Sequence, residues 1–243
     1  MSAIEWTEQT WNPVTGCTKV SPGCKHCYAE TMARRLQAMG APGYDNGFGL
    51  SLLPERLGQP LKRRRPTMYF VNSMSDLFQE GVPDSFIDQV MNVIAATPRH
   101  TYQILTKRSD NMRRYFSSRP VPGNAWLGVS VEDRKYGKPR IPDLRSIDTN
   151  VRFLSVEPLL EALGTLDLSG IHWVIVGGES GAGARPMKEE WALSIRNQCL
   201  EAGVDFFFKQ WGAWGADGKQ RNKKANGRVL DGRVWDRIPA VAL

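Results

Sequence analysis

Residues Trp11–Met39 read WNPVTGCTKVSPGCKHCYAETMARRLQAM. Cys17, Cys24 and Cys27 stand here at the spacing C-x6-C-x2-C, three of the four cysteines of the chain within eleven positions. Packing alone does not crowd thiols so closely. Pro22 and Gly23 lie inside the first interval and let the backbone fold back, so that three sulfurs converge. Lys19 and Lys25 favour the thiolate, the form that binds metal. Trp11-Asn12-Pro13-Val14 reads as the end of a first strand entering this loop. After it, Tyr28, Met32, Leu36 and Met39 recur on one helical face, with Gly40 as the stop.

The same alternation continues downstream. Short apolar runs at Thr67–Val71, Thr101–Leu105, Ala125–Val129, Val151–Leu154, His172–Val176 and Val204–Phe208 read as strands. Helical patterns separate most of them: Phe86, Val90, Val93 and Ile94; then Met112, Tyr115 and Phe116; then a stretch through Tyr136, Leu144 and Ile147; then Glu189–Leu200. Nearly continuous apolar strands alternating with helices predict parallel β/α units, about seven counting the strand before Cys17. The expected fold is α/β, a partial or complete TIM-like barrel of the (β/α)6–8 kind over residues 1–212. Residues 213–243 break the rhythm and read as a basic C-terminal extension packed on the barrel, with a hairpin about Asp231-Gly232. Its cations beside Trp214 and Trp235 read either as a solvated cap or as a strip where phosphate meets charge and bases stack.

In such barrels the loops after the strands line one mouth. Here the strands end in Asn72, Ser73 and Asp76; in Lys107 and Arg108; in Ser130 and Glu132; in Ser155 and Glu157; in Gly177, Gly178, Glu179 and Ser180; and in Lys209 and Gln210. Carboxylates, amides and cations at every turn exceed what solubility requires, so the mouth is the expected active site. The run Lys62-Arg63-Arg64-Arg65 reads either as a solvated turn or as a phosphate contact at the rim of that site.

Composition sets the outer bounds. With 243 residues, 41% of them apolar, the chain can bury one sizeable core. No apolar run approaches the roughly 20 residues that cross a bilayer, and no charged-then-apolar leader opens the chain. These features predict a cytoplasmic protein without membrane contact, where thiols stay reduced. A net charge of +7 is compatible with a polyanionic partner such as nucleic acid.

A closed zinc site takes four ligands, so Cys17, Cys24 and Cys27 would need His26 or Cys199 to complete one. Cys199 falls on the apolar face of a helix and reads as a core thiol. A [4Fe–4S] cluster also usually takes four cysteines, and three leave one iron open.

The cysteine loop resembles that of the radical SAM superfamily, keeping the C-x2-C interval and lengthening the usual first interval by three residues. The phrase CKHCYAE is also similar to the CxxCYA of the spore photoproduct lyase family. WNPVTGC, FVNSMSDLF, LTKR, GVSVE, FLSVEPL, VGGESG and FKQWG resemble a phage-associated, radical-SAM-like conserved family. The resemblance implies a [4Fe–4S] cluster on Cys17, Cys24 and Cys27, with S-adenosyl-L-methionine on the open iron. It implies that a 5′-deoxyadenosyl radical forms and abstracts hydrogen from substrate. Cofactor contacts are expected from His26, Asn72, Ser73, Asp76, Ser130, Glu132, Gly177, Gly178 and Glu179, and catalytic contacts from Lys107, Arg108, Glu157 and Lys209, with Arg185 as a further carboxylate or phosphate partner. The implied partners are a flavodoxin- or ferredoxin-type electron donor and a DNA or modified-nucleotide substrate. The implied reaction is the rearrangement of a modified thymine, in the host cytoplasm if the protein is phage-encoded. The alternatives are a radical repair lyase, a small-metabolite radical enzyme, and a zinc-stabilised nucleic-acid-binding protein without catalysis.

Overall fold

The computed structural model describes residues 4–181 and 183–240; the outermost ends of the two expected units lie outside them. In chain order the elements are β1 (Gln9–Trp11), β2 (Val14–Thr15), α1 (Tyr28–Ala38), β3 (Ser51–Leu52), β4 (Met68–Val71), α2 (Asp84–Ala95), β5 (Thr101–Thr106), α3 (Ser109–Phe116), β6 (Ala125–Ser130), α4 (Arg140–Arg145), β7 (Val151–Val156), β8 (Trp173–Gly177), α5 (Glu189–Glu201), β9 (Asp205–Gln210), α6 (Lys223–Asn226), β10 (Val229–Leu230) and β11 (Arg233–Val234). Strands β1, β4, β5, β6, β7, β8 and β9 pair in that order, all in parallel, and curl into a half-barrel. The partial barrel read from the apolar runs is therefore the fold, with its seven strands at the expected places.

Side chains alternate across the curled sheet. Tyr69, Val71, Tyr102, Ile104, Leu127 and Val129 face outward and meet Val90, Ile94 and Met112 of the covering helices in the main core. Phe70, Trp126, Phe153, Trp173 and Phe207 face inward and, with Trp6, make an aromatic floor on the concave side. Trp6 and Phe70 lie 4.6 Å apart, and Trp173 meets Phe207 edge-on at 6.0 Å. Burying each such ring contributes about 1.5–3 kcal/mol. A Cβ on Gly128 would fall 2.4 Å from the Phe153 ring, so this ring needs a glycine beneath it.

Three expectations are corrected. Tyr28, Met32 and Met39 do not form the buried face of α1; they are exposed, and the helix packs through Ala29 and Ala33. Two alanines let α1 approach Tyr44 and Met74 closely, which larger side chains would prevent. The helix after β6 begins only at Arg140, next to Pro139, and leaves Tyr136 at the surface. The Lys62–Arg65 run leads into the start of β4, the end of the barrel opposite the mouth. Its Arg63 carbonyl accepts from Arg99 Nε (2.9 Å) and from His100 Nε2 (3.1 Å).

The C-terminal segment closes one flank. β10 and β11 form the hairpin, and Asp231 (φ 51°) and Gly232 (φ 76°) supply the left-handed pair its turn requires. Phe208 N donates to the Trp235 carbonyl (2.8 Å), and Phe207 bridges Asp236 antiparallel, so the free edge of β9 is covered. Leu230 and Trp235 belong to the main core, which removes Trp235 from any stacking surface. Among the described residues no helix is long and apolar enough to cross a membrane.

Candidate active site at the strand ends

Leaving β1, the chain rises over the strand ends and forms the cysteine loop. Its entry is tied to the loop after β4. Asn12 Oδ1 accepts from Ser73 Oγ (3.2 Å) and Met74 N (3.1 Å), Gly16 N donates to the Met74 carbonyl (3.0 Å), and Gln79 Nε2 donates to Gly16 O (2.6 Å). Gly16 has φ 81°, and a Cβ there would lie 2.0 Å from the Gly49 carbonyl oxygen. No other residue fits that place.

Three strand ends then latch the loop. Arg108, just beyond β5, has a side chain only 3% exposed. Its Nε donates to Glu80 (2.9 Å), its Nη1 to Asp76 (3.2 Å) and to Cys17 Sγ (3.6 Å), and its Nη2 to Thr18 O (3.2 Å) and Oγ1 (2.7 Å). Asp76 also accepts from Thr106 Oγ1 (2.7 Å), Phe78 N (3.0 Å) and Lys107 N (3.0 Å). Beyond β6, the wholly buried Glu132 accepts from Ser21 Oγ and from Arg140 Nη1 (2.7 Å). Beyond β8, Glu179 accepts from Arg185 N (2.8 Å), Nε (2.9 Å) and Nη2 (2.6 Å), and the same Nη2 reaches the Pro22 carbonyl (2.9 Å). Buried charges persist only when paired in this way.

Asp76, Glu132 and Glu179, expected as cofactor contacts, bind protein groups that seat the cysteine loop. Burial works against the charged form of Glu132, yet Lys107, Arg140 and Ser21 hold its carboxyl below the ordinary value. Burial likewise opposes ionisation of Glu179, and the Arg185 contacts again win. For Cys17, burial pushes the thiol up to about 11, Asp76 adds to that, and Arg108 opposes it. Gly178 packs against the protein itself: a Cβ there would lie 1.9 Å from the Trp211 carbonyl oxygen. At Gly177 the neighbour is the Glu157 side chain, 3.3 Å from such a Cβ. His26 sits beneath the loop after β8, where a Cβ on Gly183 would come within 2.8 Å of its ring.

By strand alternation, Ser130, Ser155, Glu157 and Lys209 share the concave face with the aromatic floor. Lys209 Nζ binds both oxygens of Glu157 (2.7 and 2.9 Å). The charge of Lys107 acts on Glu132. Ser73 offers its carbonyl to Tyr28 Oη (2.5 Å). Asn72 adopts φ 58° and accepts from Val14 N (3.3 Å) through Oδ1, while its buried Nδ2 has no partner. Gln210 donates to Ser180 Oγ (3.0 Å), and its buried Oε1 has no partner either. Sequence reasoning missed Asn12, Thr18, Ser21, Tyr28, Gln79 and Arg140. Of these, Asn12, a polar residue ahead of Pro13 at a strand end, and Tyr28, inside the CKHCYAE phrase, carried a local signal.

The residues present can be tested against the implied cluster. Three soft thiols lie on one loop, a guanidinium contacts one of them, and unmet amide atoms of Asn72 and Gln210 mark two strand ends of the mouth. Among the described residues no three His, Cys, Asp or Glu side chains converge as a single metal ion requires. Cys199 is wholly buried in the main core on α5, so it cannot complete a zinc site at the loop. Three thiols on one loop, with Cys199 out of reach, are the donor set of a cluster that keeps one iron open.

Fold and site together define a class: an incomplete parallel β/α barrel with a three-cysteine loop latched over its strand ends. The chain belongs to the family described as Protein of unknown function (DUF5131), whose model matches residues 1–239. Among solved structures, a spore photoproduct lyase variant is similar at 12% identity and TM-score 0.50, covering 82% of this chain and 75% of that one. A second variant of that lyase, with bound AdoMet and dinucleoside spore photoproduct, is similar at 14% identity and TM-score 0.45, covering 69% and 55%. A third structure, the lyase complexed with dinucleoside spore photoproduct, gives 13%, TM-score 0.45, 77% and 59%. The chain thus spans less than two thirds of the length of the latter two. At these identities the likeness is one of fold. No curated protein matches the chain significantly.

Proposed function

We propose that this protein is a radical S-adenosylmethionine enzyme acting on a nucleic-acid base, rearranging a modified thymine of the phage hypermodification type. The observation that carries the reading is a loop with three cysteines, held by three strand-end ion pairs above a concave polar layer. Cys17, Cys24 and Cys27 would hold the [4Fe–4S] cluster. When bound, the cluster and S-adenosylmethionine supply a 5′-deoxyadenosyl radical that takes hydrogen from an unactivated carbon. The protein's own residues aim and shelter that chemistry. The orphaned Asn72 Nδ2, with Ser73 and His26, would hold the cofactor, and Ser130 would bind its ribose. Lys107, Glu157 and Lys209 orient the polar edge of the substrate. The aromatic floor beneath keeps water out of the concave side. An electron donor of the flavodoxin or ferredoxin type completes the system, in the cytoplasm or in a phage host's cytoplasm.

A second reading, a radical lyase that repairs a damaged base, is favoured by the half-barrel shared with spore photoproduct lyase. One experiment tests the cofactor common to both. Purified without oxygen, the protein should be brown and hold about four irons. The Cys24→Ala variant should lose them, and dithionite with S-adenosylmethionine should release 5′-deoxyadenosine. A colourless protein holding one zinc, or full iron in Cys24→Ala, removes the cluster and the function with it. Product analysis with modified thymine and with dimeric thymine lesions separates rearrangement from lysis.

A further inference from the structure

Charges inside the mouth are held in buried ion pairs, whereas the cations at its β8–β9 rim outnumber the carboxylates and pair only at the surface. Between Asp217 and Arg228 there are five lysines and arginines and one carboxylate. This segment crosses the ends of β8 and β9. Ala213 N donates to the Glu179 carbonyl (2.8 Å), Arg221 N to the Ala213 carbonyl (2.8 Å), and Asn226 Nδ2 to the Gly212 carbonyl (3.0 Å). Between the segment and the loop after β8 lies a cleft of about 500 Å³, lined by Ser180, Gly181, Ala213, Gln220, Arg221 and Lys223 among others. One wall joins the mouth: Ser180 Oγ accepts from Gln210, which is 6% exposed and keeps its Oε1 without a partner. Arg228 lies over Phe207 of the concave aromatic floor, 4.8 Å from its ring, and two of its guanidinium nitrogens are buried without a hydrogen bond. Two buried guanidinium nitrogens without an acceptor, on the same segment as the cations that line the cleft, are arranged for an anion.

We infer that this cleft seats the phosphate backbone of a polynucleotide next to the nucleotide whose base enters the mouth. The inference rests on the proposed reading of the mouth, and it makes the substrate a base within a strand rather than a free nucleoside. Arg221 and Lys223 keep exposed carboxylates, Asp217 and Glu5, as exchangeable partners that a phosphate displaces. The other basic run, Lys62–Arg65, lies at the opposite end of the barrel and takes no part.

The test is binding of a fluorescein-labelled thymine-containing oligonucleotide, in DNA and RNA forms, to the full chain across a salt series. Arg221 and Lys223 line the cleft and their ion pairs lie at the surface, so Arg221→Gln with Lys223→Gln should leave thermal unfolding in place. That double variant should weaken binding about tenfold and reduce the slope of log K against log salt by roughly two. A triple variant, Lys62→Gln with Arg64→Gln and Arg65→Gln, should change neither. The stronger of the DNA and RNA arms identifies the strand. Unchanged binding in the double variant, an equal loss in the triple variant, or equally tight binding of thymidine monophosphate overturns the inference. Iron content and 5′-deoxyadenosine release report on the cysteine site separately, so either idea can fail while the other stands.

Discussion

Arg108 carries more of the loop's seating than any other side chain described, because one guanidinium serves Asp76, Glu80, Cys17 and Thr18 at once. Arg108→Met strands a buried Asp76 carboxylate, and should lower stability by about 3–5 kcal/mol in denaturant titration. Arg108→Lys restores a charge but not the fork. It should regain much of that stability and still retain less iron than the parent when reconstituted. Glu132 yields a pH prediction. Its folded value is depressed, so its contribution is complete above the unfolded value of about 4.3 and lost as pH falls through the folded one. Melting temperature should therefore fall on acidification below about pH 4.5, and Glu132→Gln should flatten that limb while lowering stability near neutrality. An acid limb unchanged in Glu132→Gln would show that other carboxylates govern it.

At the scale of elements, the concave face depends on small residues under large ones. Gly128→Ala drives a Cβ into the Phe153 ring and should cost about 1–3 kcal/mol, read as a lower melting temperature. Gly58→Ala, where nothing lies within 4 Å, should stay within about 0.5 kcal/mol of the parent. Helix α1 shows the limit of periodicity. Its apolar spacing was legible, yet Ala29 and Ala33 form its buried face, because close approach to Tyr44 and Met74 outweighs side-chain size. Gly178, just after β8, shows the same limit. Its place at a strand end was readable, but the carbonyl of Trp211 that excludes a side chain there was not.

For the whole molecule, the C-terminal segment is part of the core rather than an appendage. Phe206 and Trp235 meet edge-on at 5.8 Å, and Trp235 Nε1 donates to the Leu230 carbonyl (2.9 Å). Trp235→Ala should cost about 3–5 kcal/mol in denaturant unfolding. A chain ending at residue 212 should lose its cooperative melt, because the edge of β9 and the ring of Trp211 would face solvent. A truncated chain that melts cooperatively at the parent temperature would refute this role.

The spacing of apolar residues determined the seven strands, their parallel order and the partial barrel, because strand and helix periods are local properties of the chain. The cysteine spacing likewise brought the three thiols onto one loop. Which polar strand ends face a ligand and which face one another was decided only by the tertiary structure. Ser21 meets Glu132 across 111 positions, and Pro22 meets Arg185 across 163. Contacts at such separations arise when the sheet curls and the loop descends onto it, and no local period encodes them. Desolvation then requires each buried carboxylate to take a nearby cation, which makes Asp76, Glu132 and Glu179 latches for the cysteine loop as well as candidate cofactor contacts.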